Sequence, residues 1–343
     1  MKKKENGYRF IYSSLTRISD LQKGFTYKKL PRNSWGNGDY VVGEVIEIGG
    51  GNSCVELPSG RMMQLMNGDV IVGALGERHA TLEATGTWQE VRSNRKMDLL
   101  TSAGLMGKMT SRSVFITPLI KLEYKGHVYR EDHRTSMNDY VSDFPLIPFD
   151  LPVILFVGTS MSAGKTTSAR IVTRLLKRMG YRVVGSKLTG AGRYRDILSV
   201  KDAGADQIYD FVDVGLPSSI CPRQVYQKAL YKLLSMMMRS KADVAVVEIG
   251  ASPLEPYNGD IAIEAIKHNV RCVILCASDP YGVLGVMKSF DLTPSIVSGP
   301  AANTIGGVEL IEKLCAVRAL NLIDPKNLPC LKDILSARLE NPH

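Results

Sequence analysis

Short apolar runs punctuated by glycine, asparagine and proline occupy residues 38–125. Tyr40-Val41-Val42-Gly43-Glu44-Val45-Ile46-Glu47-Ile48 reads as a strand, closed by Gly49-Gly50-Gly51-Asn52. Cys54-Val55-Glu56-Leu57 follows, then a Pro58-Ser59-Gly60 turn, Met62–Met66, an Asn67-Gly68-Asp69 turn and the run Val70–Leu75. Strands of this length and spacing predict a small all-β, barrel-like domain. Ser113–Ile116 and Ile120–Tyr124 would add strands, and residues 92–110 read as a helix. Residues 1–37 read as an N-terminal extension, and the charged, turn-rich residues 126–150 as a linker.

From Leu151 the pattern changes. Val153-Ile154-Leu155-Phe156-Val157 is an unbroken apolar run, as expected of a strand covered on both faces. A helix is predicted over Thr166–Met179, a strand at Arg182–Gly185, a long helix over Arg223–Arg239 and a strand over Asp243–Ile249. A helix at Ile261–His268, strands at Arg271–Ala277 and Ser295–Val297, and a closing helix at Gly307–Leu320 complete the alternation. This order predicts an α/β class with a doubly wound, mostly parallel sheet over 151–325 and a C-terminal tail at 326–343.

Composition narrows the picture. The chain has 343 residues, 44% hydrophobic and 22% charged, enough for two domains with cores of their own. No apolar run reaches the ~20 residues of a membrane-spanning helix, and the basic Met1–Lys4 start leads into no apolar stretch. The expected location is therefore cytoplasmic, without membrane partners. The six cysteines form no C-x-x-C pair and read as reduced thiols. A net charge of +9 suits a phosphate-rich ligand; with no arginine–aromatic interleaving, it gives little support to nucleic acid. The histidines do not cluster, which disfavours zinc hydrolysis.

The chemistry concentrates in Gly158-Thr159-Ser160-Met161-Ser162-Ala163-Gly164-Lys165-Thr166-Thr167, between a strand and a helix. In that setting backbone N–H groups point at phosphate oxygens, and the helix dipole adds attraction. Lys165 would reach the β- and γ-phosphates, and Thr166 would bind Mg²⁺. The expected cofactors are ATP and Mg²⁺.

The loop, with Thr159 where glycine is usual, resembles that of dethiobiotin synthetase, a branch related to the ParA, MinD and nitrogenase iron-protein class. Gly185-Ser186-Lys187-Leu188-Thr189-Gly190 resembles the lysine turn ending that family's second strand, which implies a substrate- and phosphoryl-contacting role for Lys187. Val244–Ala251 resembles its apolar strand ending in Glu-Gly-Ala, which implies a magnesium ligand at Glu248. The stretch from Leu188 to Asp213 is also similar to a sister family containing a D-glutamate N-acetyltransferase, where the loop would hold coenzyme A. Two features depart from these patterns: Ser160 replaces the usual acidic residue, and an N-terminal β-domain is present.

Other candidates lie nearby. Arg193 and Arg195 could fork onto a substrate carboxylate. Asp202, Asp206, Asp210 and Asp213 could line one helix face, with Asp210 and Asp213 favoured as substrate contacts. Asn303, after the fifth strand, could read the nucleotide base. The leading expectation is an ATP-dependent enzyme, a homodimer, activating or ligating a small carboxylate or amine substrate. The alternatives are an acyl-CoA-dependent N-acyltransferase and a nucleotide-driven switch or regulatory ATPase with a partner-binding β-domain.

Overall fold

A computed structural model describes residues 9–50, 53–250 and 252–340. The expected readings at Met1–Lys4, Gly51-Asn52, Ala251 and His343 lie outside these residues. The chain starts with β1 (Phe10–Tyr12), β2 (Thr26–Lys28), β3 (Tyr40–Glu47), β4 (Cys54–Glu56), β5 (Met62–Gln64) and β6 (Val70–Leu75). It continues through β7 (Glu77–His79), β8 (Ala84–Thr87), β9 (Lys96–Thr101), β10 (Leu105–Arg112), β11 (Lys121–Arg130) and β12 (His133–Arg134). The second half holds β13 (Val153–Gly158), α1 (Lys165–Arg178), β14 (Val183–Thr189), α2 (Tyr194–Asp202), β15 (Gln207–Asp210) and α3 (Arg223–Arg239). It ends with β16 (Val244–Ile249), α4 (Gly259–Ile266), β17 (Val270–Cys276), α5 (Pro280–Phe290), β18 (Ile296–Ser298), α6 (Ile305–Cys315) and α7 (Leu328–Glu340).

The chain divides into two compact units whose segments interleave. The first holds the chain up to Phe144 with Ala191–Arg195 and Phe211–Ala229. The second holds Pro145–Gly190, Asp196–Asp210 and the chain from Leu230 onward.

In the first unit the pairings β6–β3, β3–β11, β11–β9, β9–β10 and β10–β6 return to their starting strand. A closed ring leaves these five strands no open edge. Buried Val41, Val45, Ile71, Leu75, Met97, Leu99, Met106, Leu122 and Tyr124 share its core. The helix expected at 92–110 is instead the pair β9–β10. Asp98 accepts the Met109 N–H at 2.8 Å and an ion pair from Lys108 at 3.0 Å, so pairing across strands overrides local helical preference. Within the expected extension, β1 pairs with β6 and β2 with β11. Within the expected linker, β11 runs on to Arg130 and pairs with β12.

In the second unit six parallel strands lie in the order β15-β14-β16-β13-β17-β18. Strands β13, β14 and β16 are buried throughout, which explains their lack of polar alternation. From β13 the chain crosses to β14 on one side, and after β16 it crosses to β17 on the other. The crevice at the carboxyl end of β13 is the point where such sheets place ligands. Helix α1 buries Ala169, Val172, Leu175 and Leu176 along one face. The expected tail contains α7, anchored by buried Leu331 and Leu335. No helix among the described residues is long and apolar enough to cross a membrane.

Candidate functional site

The loop between β13 and α1 carries the chemistry. Gly164 sits at φ 94°, a left-handed conformation that glycine adopts without steric cost and that lets the chain turn into α1. No acidic residue lies in the first turn of α1, so its positive dipole end is free for an anion. At the other end of the loop, the Thr159 N–H donates to the Cys276 carbonyl at 3.1 Å. The Thr159 hydroxyl accepts from the Ser278 N–H at 3.2 Å, and the Ser160 and Ser278 hydroxyls lie 3.2 Å apart.

Lys165 folds back over this loop. It is 2% exposed, and its Nζ donates to the Ser160 carbonyl at 2.6 Å. Burial pushes its pKa down, opposed by Glu248. The Thr166 hydroxyl donates to Glu248 Oε2 at 3.0 Å. Glu248 is next to last in β16, and burial pushes its carboxyl upward against the pull of Lys187 and Lys165.

Register brings further charge to the same row. Lys187 on β14 lies opposite Glu248 on one side and Asp210 on the other. Its ammonium donates to Asp196 Oδ2 at 2.6 Å. Burial works against that cation, but Asp196 and then Glu248 outweigh it, and the pKa of Lys187 is raised. The slot for its stem is made by two glycines. A Cβ at Gly190 would stand 3.1 Å from Lys187 Cε, and one at Gly250 would stand 3.0 Å from it.

The sequence-predicted residues separate into two groups. Lys165, Thr166, Lys187, Glu248 and Asp210 gather at the carboxyl edge of the second unit's sheet. Arg193 and Arg195 are exposed and belong with the first unit, where the Arg195 backbone N–H donates to Glu56. The shared helix face expected for the four aspartates does not form. Asp202 ends α2, and Asp206 pairs with Lys177 at 2.7 Å. Asp210 ends β15, and Asp213 pairs with Arg17 at 3.1 Å in the first unit. The break comes from Gly204 at φ 110°, which ends the helix before Asp206. Asn303 is exposed after β18, and its carbonyl accepts from the Asn321 amide at 3.5 Å.

Sequence reasoning missed Asp196. Its signal was an acidic residue in the first turn of an amphipathic stretch nine positions after Lys187, but α2 itself was not foreseen. Helix α5 was missed too. Asp279 caps it by accepting the Gly282 N–H at 2.9 Å, with Pro280 next in the first turn.

The donor set fits Mg²⁺. A hydroxyl and a carboxylate oxygen within hydrogen-bond distance are hard ligands, and magnesium keeps several waters and takes phosphate oxygens for the rest. Among the described residues no cluster of three or more His, Cys, Asp or Glu side chains could hold a metal unaided. Loop, helix dipole, buried lysine and Thr–Glu pair, at the carboxyl edge of a parallel sheet, give this α/β fold the arrangement of a phosphate-binding P-loop.

No protein-family model matches the chain, and no curated protein matches it in sequence. Among solved structures it is similar to the signal recognition particle receptor FtsY from Elizabethkingia anophelis, at 16% identity and TM-score 0.35 over 48% of this chain and 55% of that one. It is similar to HypB from Helicobacter pylori in complex with nickel, at 18% identity and TM-score 0.38 over 56% and 88%. A third match is the signal recognition particle 54 kDa protein from Aeropyrum pernix K1 in complex with GDP, at 19% identity and TM-score 0.32 over 57% and 50%. The chain spans about half the length of the receptor and of the particle protein. Likeness at this level assigns neither activity nor ligand, and the resemblance to dethiobiotin synthetase rests on its motifs alone.

Proposed function

We propose that this protein binds a magnesium–nucleoside triphosphate at the Gly158–Thr167 loop and hydrolyses it as a nucleotide-dependent switch. The observation that carries nucleotide and metal binding is the 3.0 Å contact between the Thr166 hydroxyl and Glu248 at the head of α1. Those two residues would hold Mg²⁺, which supplies charge neutralisation of the phosphates when bound. Lys165 would exchange the Ser160 carbonyl for phosphate oxygens, a stronger, charge-assisted partnership. Lys187, oriented by Asp196, would face the terminal phosphate and stabilise charge developing there.

Asp213, expected as a substrate contact in the ligase reading, is instead paired with Arg17 at 3.1 Å, and this favours the switch over the ligase reading. Coenzyme A-dependent acyl transfer and ligation of a small substrate keep only the motif resemblance in their support. Asn303 as base contact and a homodimer as the working form remain proposals of the same reading.

Isothermal titration of ATP, GTP and acetyl-CoA, each with magnesium, tests this against wild type and Lys165→Ala. The expected result is micromolar binding of a triphosphate, weakened roughly 100-fold by the substitution. Binding of acetyl-CoA alone would move acyl transfer to first place. Absence of any binding would end the proposal.

A further inference from the structure

We propose that Glu56 is a positioning residue for the nucleotide site: it holds the first turn of α2 so that Asp196, the next residue along, keeps Lys187 in place. The proposal rests on the reading that Lys187 acts on bound phosphate.

Glu56 ends β4 and is fully buried. Its Oε1 accepts the Arg195 N–H at 2.7 Å, and its Oε2 accepts the Tyr194 N–H at 2.8 Å and the Ser14 hydroxyl at 2.5 Å. Its own backbone N–H donates to the Ser102 carbonyl at 2.7 Å, which fixes the strand end that carries it. A buried carboxylate costs several kcal/mol unless it is paired or fully hydrogen-bonded. Here the partners are a hydroxyl and the first two N–H groups of a helix, the end where the dipole favours a negative charge.

The residues that precede helix α2, Gly192 and Arg193, are not among the Ser, Thr, Asp and Asn that usually cap a helix with a side chain. Glu56, 138 residues before Tyr194, takes that role. Arg17 reinforces it. Its guanidinium lies 4.3 Å above the Tyr194 ring and pairs with Asp213 at 3.1 Å. All these contacts lie within the first unit. The link onward is the peptide chain itself: Asp196 follows Arg195 and holds the Lys187 ammonium at 2.6 Å. When the first turn of α2 frays, Asp196 loses its fixed position, and Lys187 is left to Glu248 and Asp210.

The test uses the full chain with Glu56→Gln, Asp196→Asn and the double variant. Glu56→Gln keeps the volume but leaves one helix N–H facing an amide donor. Triphosphate affinity should stay within about twofold of wild type while phosphate release falls about tenfold. Hydrogen exchange should rise over Tyr194–Asp202 and stay at wild-type levels in β3 and β6. In the Asp196→Asn background, Glu56→Gln should change turnover by less than about twofold, because both act through one contact. A full further loss in that background, or unchanged exchange in α2, overturns the proposal.

Ser14→Ala removes only the hydroxyl that aims the carboxylate. It should give the same pattern at smaller amplitude, and it is the variant to read if Glu56→Gln does not fold; an unchanged pattern there counts against Glu56. If wild type binds no nucleotide, the functional reading fails separately. Acetylation of Lys187 by acetic anhydride, read by mass spectrometry, then decides: a rise in Glu56→Gln upholds the positioning role, and no change overturns it.

Discussion

Lys187 is buried because two residues beside it have no side chain. At Gly250 an added Cβ would stand 2.1 Å from the Thr189 carbonyl oxygen, a backbone atom that cannot swing aside. Gly250→Ala must therefore push β14 and β16 apart where Lys187 and Glu248 face each other. A loss of about 1–3 kcal/mol in urea unfolding is expected, as for other overpacked sites. Gly285→Ala is the control at the same scale. Nothing lies within 4 Å of its added Cβ, and it sits inside α5. There alanine should stabilise the protein by about 0.5–1 kcal/mol through helix propensity. Equal losses at both positions would show that packing around Lys187 is not the deciding factor.

Elements are held at their ends as well as by their cores. The amino ends of β14 and β16 are clipped together by Arg182 and Asp243. The Arg182 N–H donates to Asp243 Oδ2 at 2.8 Å, and its guanidinium reaches Oδ1 at 2.6 Å. These bonds from the Arg182 side chain, and then from its backbone, hold the Asp243 carboxyl below its usual range. A depressed carboxylate adds stability that is present above its unfolded pKa, about 3.9, and is lost as pH falls through the folded value. Between pH 7 and pH 3 the urea midpoint of wild type should fall further than that of Asp243→Asn. The difference will be small because the pair is largely exposed. Parallel falls would mean that the clip adds nothing. Helix α2 is the opposite case, since its amino end is held by a residue from a distant strand.

At the scale of the molecule, the two units interleave in sequence. The first needs Ala191–Arg195 and Phe211–Ala229, which the chain delivers only after β14 and β15. A fragment ending at Phe144 would leave Glu56 buried without its two helix N–H partners and Asp213 absent from Arg17. Leaving one buried partner uncompensated costs about 3–5 kcal/mol, a large share of a domain's stability. The fragment is expected to lack a cooperative thermal transition by circular dichroism. A sharp transition in it would show that the β-unit is self-sufficient.

The alternation of strand and helix beyond Leu151 and the loop from Gly158 to Thr167 were legible in the sequence because both are local. An unbroken apolar run, a glycine-rich turn and a 3.6-residue period need only near neighbours to be read. The positions of Lys187 and Glu248 near the carboxyl ends of β14 and β16 were legible for a related reason, as polar residues closing apolar runs, whereas the roles expected of them came from motif resemblance. The rest depended on partners far along the chain. Period and propensity do not reveal that β10 would return to β6 and close a ring, so residues 92–110 could read as a helix. Spacing by three or four put four aspartates on one face, until Gly204 broke the helix that would have aligned them. Asp196 and Glu56 became visible only through their hydrogen bonds. A buried charge must find its partners wherever the fold brings them, and tertiary structure alone decides where that is.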